Sequence, residues 1–132
     1  MKKLIGIIAI LTIIFIYGCS KQPSSIKAKQ DGKPLIVMYG DFKCPYCKKV
    51  EDKVMPKLRN KYIDKNKVKF QYVNLAFIGK DSIIGSRAQQ AVNHYAPKYS
   101  LQFQKLMFEH QKDEDKKWIT HTLIDKQIDK LN

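Results

Sequence analysis

The stretch DFKCPYCKKVEDKVMPKL, residues 41–58, places Cys44 and Cys47 three positions apart, with a proline and a tyrosine between them. A pair at this spacing can be a redox centre, part of a metal site or a structural disulfide. A structural disulfide here would close a very short loop, and short loops gain little stability from a cross-link. A closed zinc site needs about four ligands, and the histidines of the chain do not stand at a tight metal-ligand spacing. The pattern therefore favours redox chemistry over the other two.

The sequence on either side of the cysteine pair predicts a βαβ unit. The run PLIVMY at 34–39 is continuously apolar, which is typical of a strand buried on both faces in a parallel sheet. Residues 68–75, VKFQYVNL, predict a second strand, and Pro45 suits the first turn of a helix between the two. This arrangement places the cysteine pair at the carboxyl end of the first strand, where open α/β sheets hold their functional sites.

The helix that begins at the cysteine pair has a regular apolar spacing. Its predicted buried positions recur every three or four residues: Cys47, Val50, Val54, Leu58 and Tyr62. Lysines recur every fourth residue on the side predicted to face solvent: Lys49, Lys53, Lys57 and Lys61. Pro56 removes one backbone hydrogen bond, so we expect a kink in this helix.

The chain beyond residue 80 is predicted to be helical. We expect one helix from Ser82 to about Tyr95, a second after Pro97, and a third capped by Thr120 or Thr122. The apolar spacing of the first of these predicts a buried face, formed by Ile84, Ala88, Ala91 and Tyr95.

The position of Cys44 at the start of its helix suits a reactive thiol. Unpaired N–H groups and the helix macrodipole stabilise a thiolate at a helix N-terminus. The neighbouring Lys43 adds positive potential, as do Lys48 and Lys49. Cys47 lies one turn further on, on the predicted buried face, and is the natural resolving thiol. The i, i+3 spacing lets the two sulfurs meet without unwinding the helix.

Residues 1–18 predict an export signal. Lysines precede an apolar run that is shorter than the roughly 20 residues of a spanning helix. The run ends at IYGC, which resembles a bacterial lipobox with Cys19 as the lipidated residue. We therefore expect an extracytoplasmic lipoprotein anchored to the cell membrane, with an N-terminal transmembrane anchor as the alternative. Residues 19–33 are polar and predict a tether. Disulfides persist in the oxidising environment outside the cytoplasm.

The chain has a net charge of +13, yet nucleic acid is not the expected partner. A basic balance of this size can indicate nucleic-acid binding. An exported chain meets little nucleic acid, however, and the lysines are spread along the whole length. Residues 34–132 are enough for one domain with a limited core, and residues 81–132 are its helical part.

Three features of the sequence occur together: GDFKCPYCK after an apolar strand, Pro56 twelve residues beyond Cys44, and VKFQYVNLAFIG leading into a helical insertion. Together they resemble the exported DsbA-like thiol oxidoreductases of the thioredoxin superfamily, in particular the membrane-tethered Gram-positive type. The resemblance covers about Pro34 to Leu131. It implies an α/β, thioredoxin-like fold in which the helical segment is an insertion.

The resemblance also implies a thiol–disulfide oxidoreductase that needs no cofactor. In that family Cys44 attacks or is attacked, Cys47 completes the exchange, and the Pro45-Tyr46 dipeptide tunes the redox potential. The implied substrates are exported proteins with cysteine pairs, which are oxidised, and the implied redox partner is a membrane quinone-linked re-oxidase. The alternatives are a reductase or isomerase with the same centre, a non-catalytic lipoprotein holding a soft metal such as Cu(I), and an inactive truncated lipoprotein.

The sequence departs from the DsbA-like pattern at two points. Many relatives have a glutamate six residues before the first cysteine, where this chain has Met38. The family also continues after its helices with a cis-proline loop, two antiparallel strands and a final helix, and no proline follows Pro97 here. We therefore expect a fold that lacks its final strands and helix, with an open edge on the first strand, marginal stability and weak activity.

Overall fold

The computed structural model describes residues 29, 30 and 32–131. The predicted export signal, Cys19 and most of the predicted tether lie outside these residues. In the part that is described, no helix is both long enough and apolar enough to cross a membrane.

The sheet of the described region has three strands, β1 (Lys29–Gln30), β2 (Lys33–Gly40) and β3 (Lys69–Asn74), in the order β1-β2-β3. β2 and β3 run parallel and pair along residues 35–40 of β2. The two predicted strands and their parallel arrangement are confirmed. β1 and β2 form a short antiparallel hairpin in which Gly32 has a positive φ of 73°, so strand structure already begins within the predicted tether.

β2 is less buried than its apolar sequence predicts. Most of its residues are half-buried, and Tyr39 is 54% exposed. On the edge opposite β3, β1 pairs only with Lys33 and Pro34. Among the described residues no strand covers the rest of that edge. The described residues thus cover the two faces of β2 only in part. The expected open edge of this strand is present among the described residues.

The helix after the cysteine pair is broken where Pro56 predicts a kink. α1 (Pro45–Lys53) ends at Val54, α2 (Met55–Leu58) follows directly, and a wider π-type turn covers Arg59–Ile63. Pro56 lies in the first turn of α2, where its missing N–H cannot continue the hydrogen bonds of α1. The predicted kink is confirmed.

The buried face of α1 and α2 is shifted by about one residue from the predicted one. Glu51 and Met55 are buried, in line with the partly buried Cys47. Three of the predicted core positions are exposed instead: Val50, Val54 and Tyr62. The apolar spacing predicts the wrong face because a charged residue, Glu51, is buried there, where it pairs with Arg59 and Gln104. The four lysines on the outer side are exposed, as predicted.

Three helices follow β3: α3 (Ser82–Tyr95), α4 (Ser100–Glu109) and α5 (His121–Ile128), with a short 3-10 turn at Pro97–Tyr99. All three begin close to their predicted positions. α3 contacts β3, and α4 contacts α1, β3 and both neighbouring helices. The helical segment therefore packs against the βαβ unit rather than forming a separate body.

The predicted cap of α5 agrees with the structure, whereas part of the predicted buried face of α3 does not. Thr120 caps α5, as predicted, by accepting the Leu123 N–H at 3.1 Å. The predicted burial of Ala91 and Tyr95 on α3 is wrong, since both are exposed. The buried face of α3 instead includes Gly85, where a Cβ would stand only 2.9 Å from the Phe42 ring. Most buried positions of α3 are occupied by small or polar residues, because the large Phe42 ring packs against this face.

An aromatic cluster forms the centre of the core. Phe42 lies 5.2 Å from Tyr72 and 5.2 Å from Phe108, measured between ring centroids, and 6.2 Å from Phe103. All four rings are almost completely buried. Phe42 belongs to the loop between β2 and α1, so burial of its ring fixes the segment that carries the first cysteine.

Candidate functional site

Cys44 is the N-cap residue of α1. Its backbone is extended, at φ −72° and ψ 117°, and its N–H donates to the Asp41 carbonyl at 3.0 Å. The Cys44 Sγ accepts a hydrogen bond from the Cys47 N–H at 3.4 Å, as a capping side chain does. The sulfur therefore meets the positive end of the helix dipole, the environment that the sequence predicts for a reactive thiol.

Cys47 lies one turn further along α1, and both cysteines are free thiols. Burial raises the pKa of Cys47 to about 11, and the neighbouring Cys44 and Asp41 charges act in the same direction, against the lowering effect of the Asp41 backbone N–H. At neutral pH Cys47 is therefore a protonated thiol. The two sulfurs of the pair thus have different environments, one at a helix end and one beneath it.

Asp41 holds the loop between β2 and α1 in place. Its carboxylate is fully buried and accepts hydrogen bonds from the Ser82 hydroxyl at 2.8 Å, the Lys43 N–H at 2.9 Å and the Ile78 N–H at 3.0 Å. These bonds tie the loop to itself, to the segment after β3 and to the start of α3. Ser82, where the sequence predicts α3 to begin, is the first residue of that helix, and its hydroxyl takes part in this network.

Lys43 is buried and forms an ion pair with Asp81, with 3.0 Å between Nζ and Oδ1. Asp81 also accepts the Trp118 and Ile119 N–H groups at 3.0 Å and 3.2 Å. Burial would raise the pKa of Asp81, but Lys43 and the two N–H groups hold it below its usual value. The charge of Lys43 is therefore compensated by Asp81, a partner 38 residues away, whereas the sequence predicts it to act on the thiols.

The two residues between the cysteines lie at the surface. Tyr46 is 72% exposed, and Pro45 is exposed as well. The Lys49 ammonium lies 5.0 Å from the centre of the Tyr46 ring, and Lys48 pairs with Asp52 on the next turn of α1. Pro45 and Tyr46 are thus accessible to an approaching polypeptide, next to the Cys44 sulfur.

Gln111, in the loop after α4, is a residue that the sequence did not single out. Its amide donates to the Phe42 carbonyl at 2.6 Å and to the Cys44 carbonyl at 3.0 Å. It also lines a surface groove of about 660 Å³ that includes Pro45 and Lys48. No local signal marks this glutamine, because its partners are far away in the sequence.

Glu51 is a second residue that the sequence missed. It is buried on α1, one turn beyond Cys47, and its carboxylate accepts from Arg59 at 2.7 Å and from Gln104 at 2.7 Å. Burial raises the pKa of Glu51, and both partners oppose that rise. Its two carboxylate oxygens are thus already engaged below the cysteine pair.

Metal ligands are sparse across residues 32–131. This part of the chain contains no group of three or more His, Cys, Asp and Glu side chains that could hold a metal ion. Cys44 and Cys47 can supply two thiolate ligands. Of these two sulfurs, that of Cys44 lies at the N-terminal end of α1.

The chain is similar to named proteins of two Bacillus species. It is 38% identical over 96 residues to the "Probable disulfide bond formation protein D" of Bacillus cereus, covering 73% of this chain and 44% of that protein. It is 36% identical over 109 residues to the "Disulfide bond formation protein D" of Bacillus subtilis, covering 80% of this chain and 49% of that protein. The chain thus spans about half the length of the relatives it matches.

Solved structures give the same fold. The oxidised form of BdbD from Bacillus subtilis superposes with a TM-score of 0.71 at 33% identity, over 79% of this chain and 57% of that one. DsbA from Chlamydia trachomatis superposes with a TM-score of 0.68 at 17% identity, over 86% of this chain and 62% of that one. The second match supports the fold alone.

The family profile described as "Thioredoxin" matches residues 26–131. That range contains the βαβ unit, both cysteines and the helical segment, and the predicted thioredoxin-like fold is confirmed by the superpositions. The chain belongs to the thioredoxin family, as a DsbA-like member.

Proposed function

We propose that the protein is an extracytoplasmic thiol–disulfide oxidoreductase that oxidises cysteine pairs of exported proteins through a Cys44–Cys47 disulfide. The observation that carries the proposal is the asymmetry of the two thiols. Cys44 caps a helix beside the exposed Pro45 and Tyr46, whereas Cys47 is a protonated thiol beneath it. The names of the Bacillus relatives, disulfide bond formation protein D, support oxidation as the direction.

The exchange proceeds in two displacements. A substrate thiolate attacks the Cys44 sulfur of the disulfide, the new bond joins substrate and Cys44, and the electron pair of the broken bond leaves on Cys47. A second substrate thiolate then attacks the substrate sulfur of this mixed disulfide, and Cys44 leaves as a thiolate. The substrate has lost two electrons, and the enzyme holds both cysteines reduced. Cys44 suits its role because a thiolate at a helix N-terminus is a good leaving group.

A direct test follows the oxidation of a reduced peptide that contains one cysteine pair. The disulfide form of the protein should oxidise it stoichiometrically, and Cys44→Ser and Cys47→Ser should each abolish the reaction. The redox potential separates oxidase from reductase, since dithiol proteins range from about −270 mV for thioredoxin to about −120 mV for DsbA. A potential near the thioredoxin end would contradict oxidation as the physiological direction and support the reductase alternative.

We propose further that a lipid on Cys19 anchors the protein to the outer side of the cell membrane. Support comes from the apolar run and the IYGC motif of residues 1–19. The re-oxidase that restores the disulfide would then be a membrane protein linked to quinone. Radioactive palmitate should label the wild-type protein and not Cys19→Ser, which should accumulate as an unprocessed precursor. Label retained in Cys19→Ser would show that Cys19 is not the acceptor, whereas no label in the wild type would favour an N-terminal transmembrane anchor.

A further inference from the structure

The hydroxyl of Tyr72 is buried without a hydrogen-bond partner. Tyr72 lies on β3 and is 1% exposed, and no described residue bonds to its hydroxyl. A buried hydroxyl in this state is unfavourable relative to one in water, and native proteins pair the large majority of such groups. An exception of this kind calls for an explanation.

The environment of Tyr72 places the unpaired hydroxyl close to the Cys47 sulfur. A Cβ at Gly40 would stand 2.9 Å from the Cys47 Sγ and 3.3 Å from the Tyr72 hydroxyl oxygen. Both atoms therefore line the same small gap above Gly40. The Tyr72 ring cannot move far, because Phe42 and Phe108 pack against it at 5.2 Å and 5.7 Å. A hydrogen bond between the two atoms therefore requires the Cys47 sulfur to move toward the hydroxyl.

The proposed exchange creates a charge at this position. When a substrate thiolate attacks Cys44, Cys47 leaves as a thiolate in a site where burial disfavours that charge. The neighbouring titratable groups Cys44, Asp41 and Glu51 do not stabilise this thiolate. Cys44 and Asp41 raise the pKa of Cys47 through their negative charge, and the Glu51 carboxylate is engaged by Arg59 and Gln104. Among the described residues, the Asp41 backbone N–H is the group that favours the Cys47 thiolate.

We propose that Tyr72 is a positioning residue that donates a hydrogen bond from its hydroxyl to the Cys47 sulfur when this sulfur becomes a thiolate. The proposal rests on the function proposed above and assigns a residue to its first displacement. The hydroxyl keeps its proton throughout and acts only as a donor. Burial, followed by the charges of Cys47 and Asp41, raises the pKa of Tyr72 far above its ordinary value. Gly40 contributes by leaving open the gap that a larger residue would fill.

The hydroxyl can be removed without disturbing the ring. In a Cys44→Ser background, Tyr72→Phe should lower the thiolate fraction of Cys47 about tenfold at a given pH. The loss of thiolate is partly offset, because a more basic thiolate is intrinsically more nucleophilic. Alkylation of Cys47 by iodoacetamide should therefore slow about threefold. The alkylation is run at mildly alkaline pH, and mass spectrometry of the peptides measures its rate at Cys47 separately from Cys19. Tyr62→Phe, which removes a hydroxyl from an exposed ring, is the matched control and should leave the rate unchanged.

A second variant reverses the expected sign. Fluorination of the Tyr72 ring makes its hydroxyl a stronger donor, so Tyr72→3-fluorotyrosine should speed the alkylation of Cys47. An unchanged or faster rate in folded Tyr72→Phe, or a slower rate in the fluorinated variant, would overturn the proposal. The alkylation measurement does not depend on oxidase activity. A wild-type protein that fails to oxidise dithiols would therefore refute the proposed function and leave the Tyr72 assignment to be judged by these rates.

Discussion

The loop between β2 and α1 and the outer edge of β2 are neighbours in the chain, but they are held very differently. The loop is buried and receives hydrogen bonds through Asp41, from Gln111 and through the Lys43–Asp81 ion pair. The edge of β2 along residues 35–40 has no partner strand in the described region, and Tyr39 is largely exposed. The difference teaches that the reactive centre is built by contacts to the helical segment and does not rely on cover over that edge.

The largest effect that we expect comes from the uncovered edge. Residues 20–132 should be at most marginally folded, because an apolar strand with an open edge invites aggregation and leaves burial incomplete. Urea denaturation followed by circular dichroism measures this directly, and the transition should fall at a low urea concentration. A cooperative transition with a midpoint above a few molar would show that the helices close the core in spite of the open edge.

The buried ion pair provides the sharpest test of the covered loop. Asp81→Asn leaves the Lys43 ammonium buried without its counter-charge, which costs about 3–5 kcal/mol and is enough to unfold a marginal domain. Circular dichroism without denaturant should therefore show loss of structure. Asp113→Asn is the matched control, because it breaks the exposed pair with Lys116, worth about 0–1 kcal/mol. Equal effects of the two substitutions would contradict the assigned difference.

The same carboxylate predicts a pH dependence. Because the folded pKa of Asp81 is lowered, its contribution to stability is fully present above the pKa of an unfolded aspartate, about 3.9. The contribution is lost as the pH falls through the folded pKa. Urea titrations in mildly and strongly acidic buffer should show this loss in the wild type. If Asp81→Asn, refolded with a stabilising osmolyte, shows the same acid dependence, another group is responsible.

The corrected face of α1 and α2 can be tested with two neighbouring residues. Met55 is 1% exposed and Val54 is 52% exposed. Met55→Ala should cost about 2–5 kcal/mol through lost packing, whereas Val54→Ala should stay within about 0.5 kcal/mol. Urea midpoints, or the folded fraction at low temperature, give the comparison. The reverse order would restore the face that the apolar spacing predicts.

The smallest effect that we expect concerns the support of the loop from outside. Gln111→Ala removes two hydrogen bonds to the Phe42 and Cys44 carbonyls, at about 1 kcal/mol. It should also slow the oxidation of a dithiol peptide a few-fold, because Cys44 is held less firmly. Lys112→Ala, at an adjacent position in the same groove, is the control. Equal rates for both variants would show that the loop needs no support from Gln111.

The sequence predicted the parts of the structure that local pattern determines. Pro45 and the i, i+3 cysteines indicated the helix start, Pro56 the break, and Thr120 the cap of α5, and each agrees with the structure. These features depend on backbone rules that act within a few residues. Local pattern also gave the parallel pairing of β2 and β3.

The residues that complete the site could not be predicted in this way. Glu51 looks like a solvent-facing residue until Arg59 and Gln104 are seen beside it. Lys43 looks like a free charge until Asp81 is placed next to it. Such pairs depend on how distant segments pack, and the apolar periodicity of one helix contains no information about them.

The most direct test of the central claim is to trap the mixed disulfide. Cys47→Ser should accumulate covalent complexes with exported proteins through Cys44, because no second thiol remains to release them, whereas Cys44→Ser should accumulate few. Non-reducing gels and mass spectrometry of the purified complexes identify the linked cysteine. Complexes through Cys44 that form in Cys47→Ser alone are the predicted result. Equal trapping by the two variants, or trapping through Cys47 instead, would contradict the account.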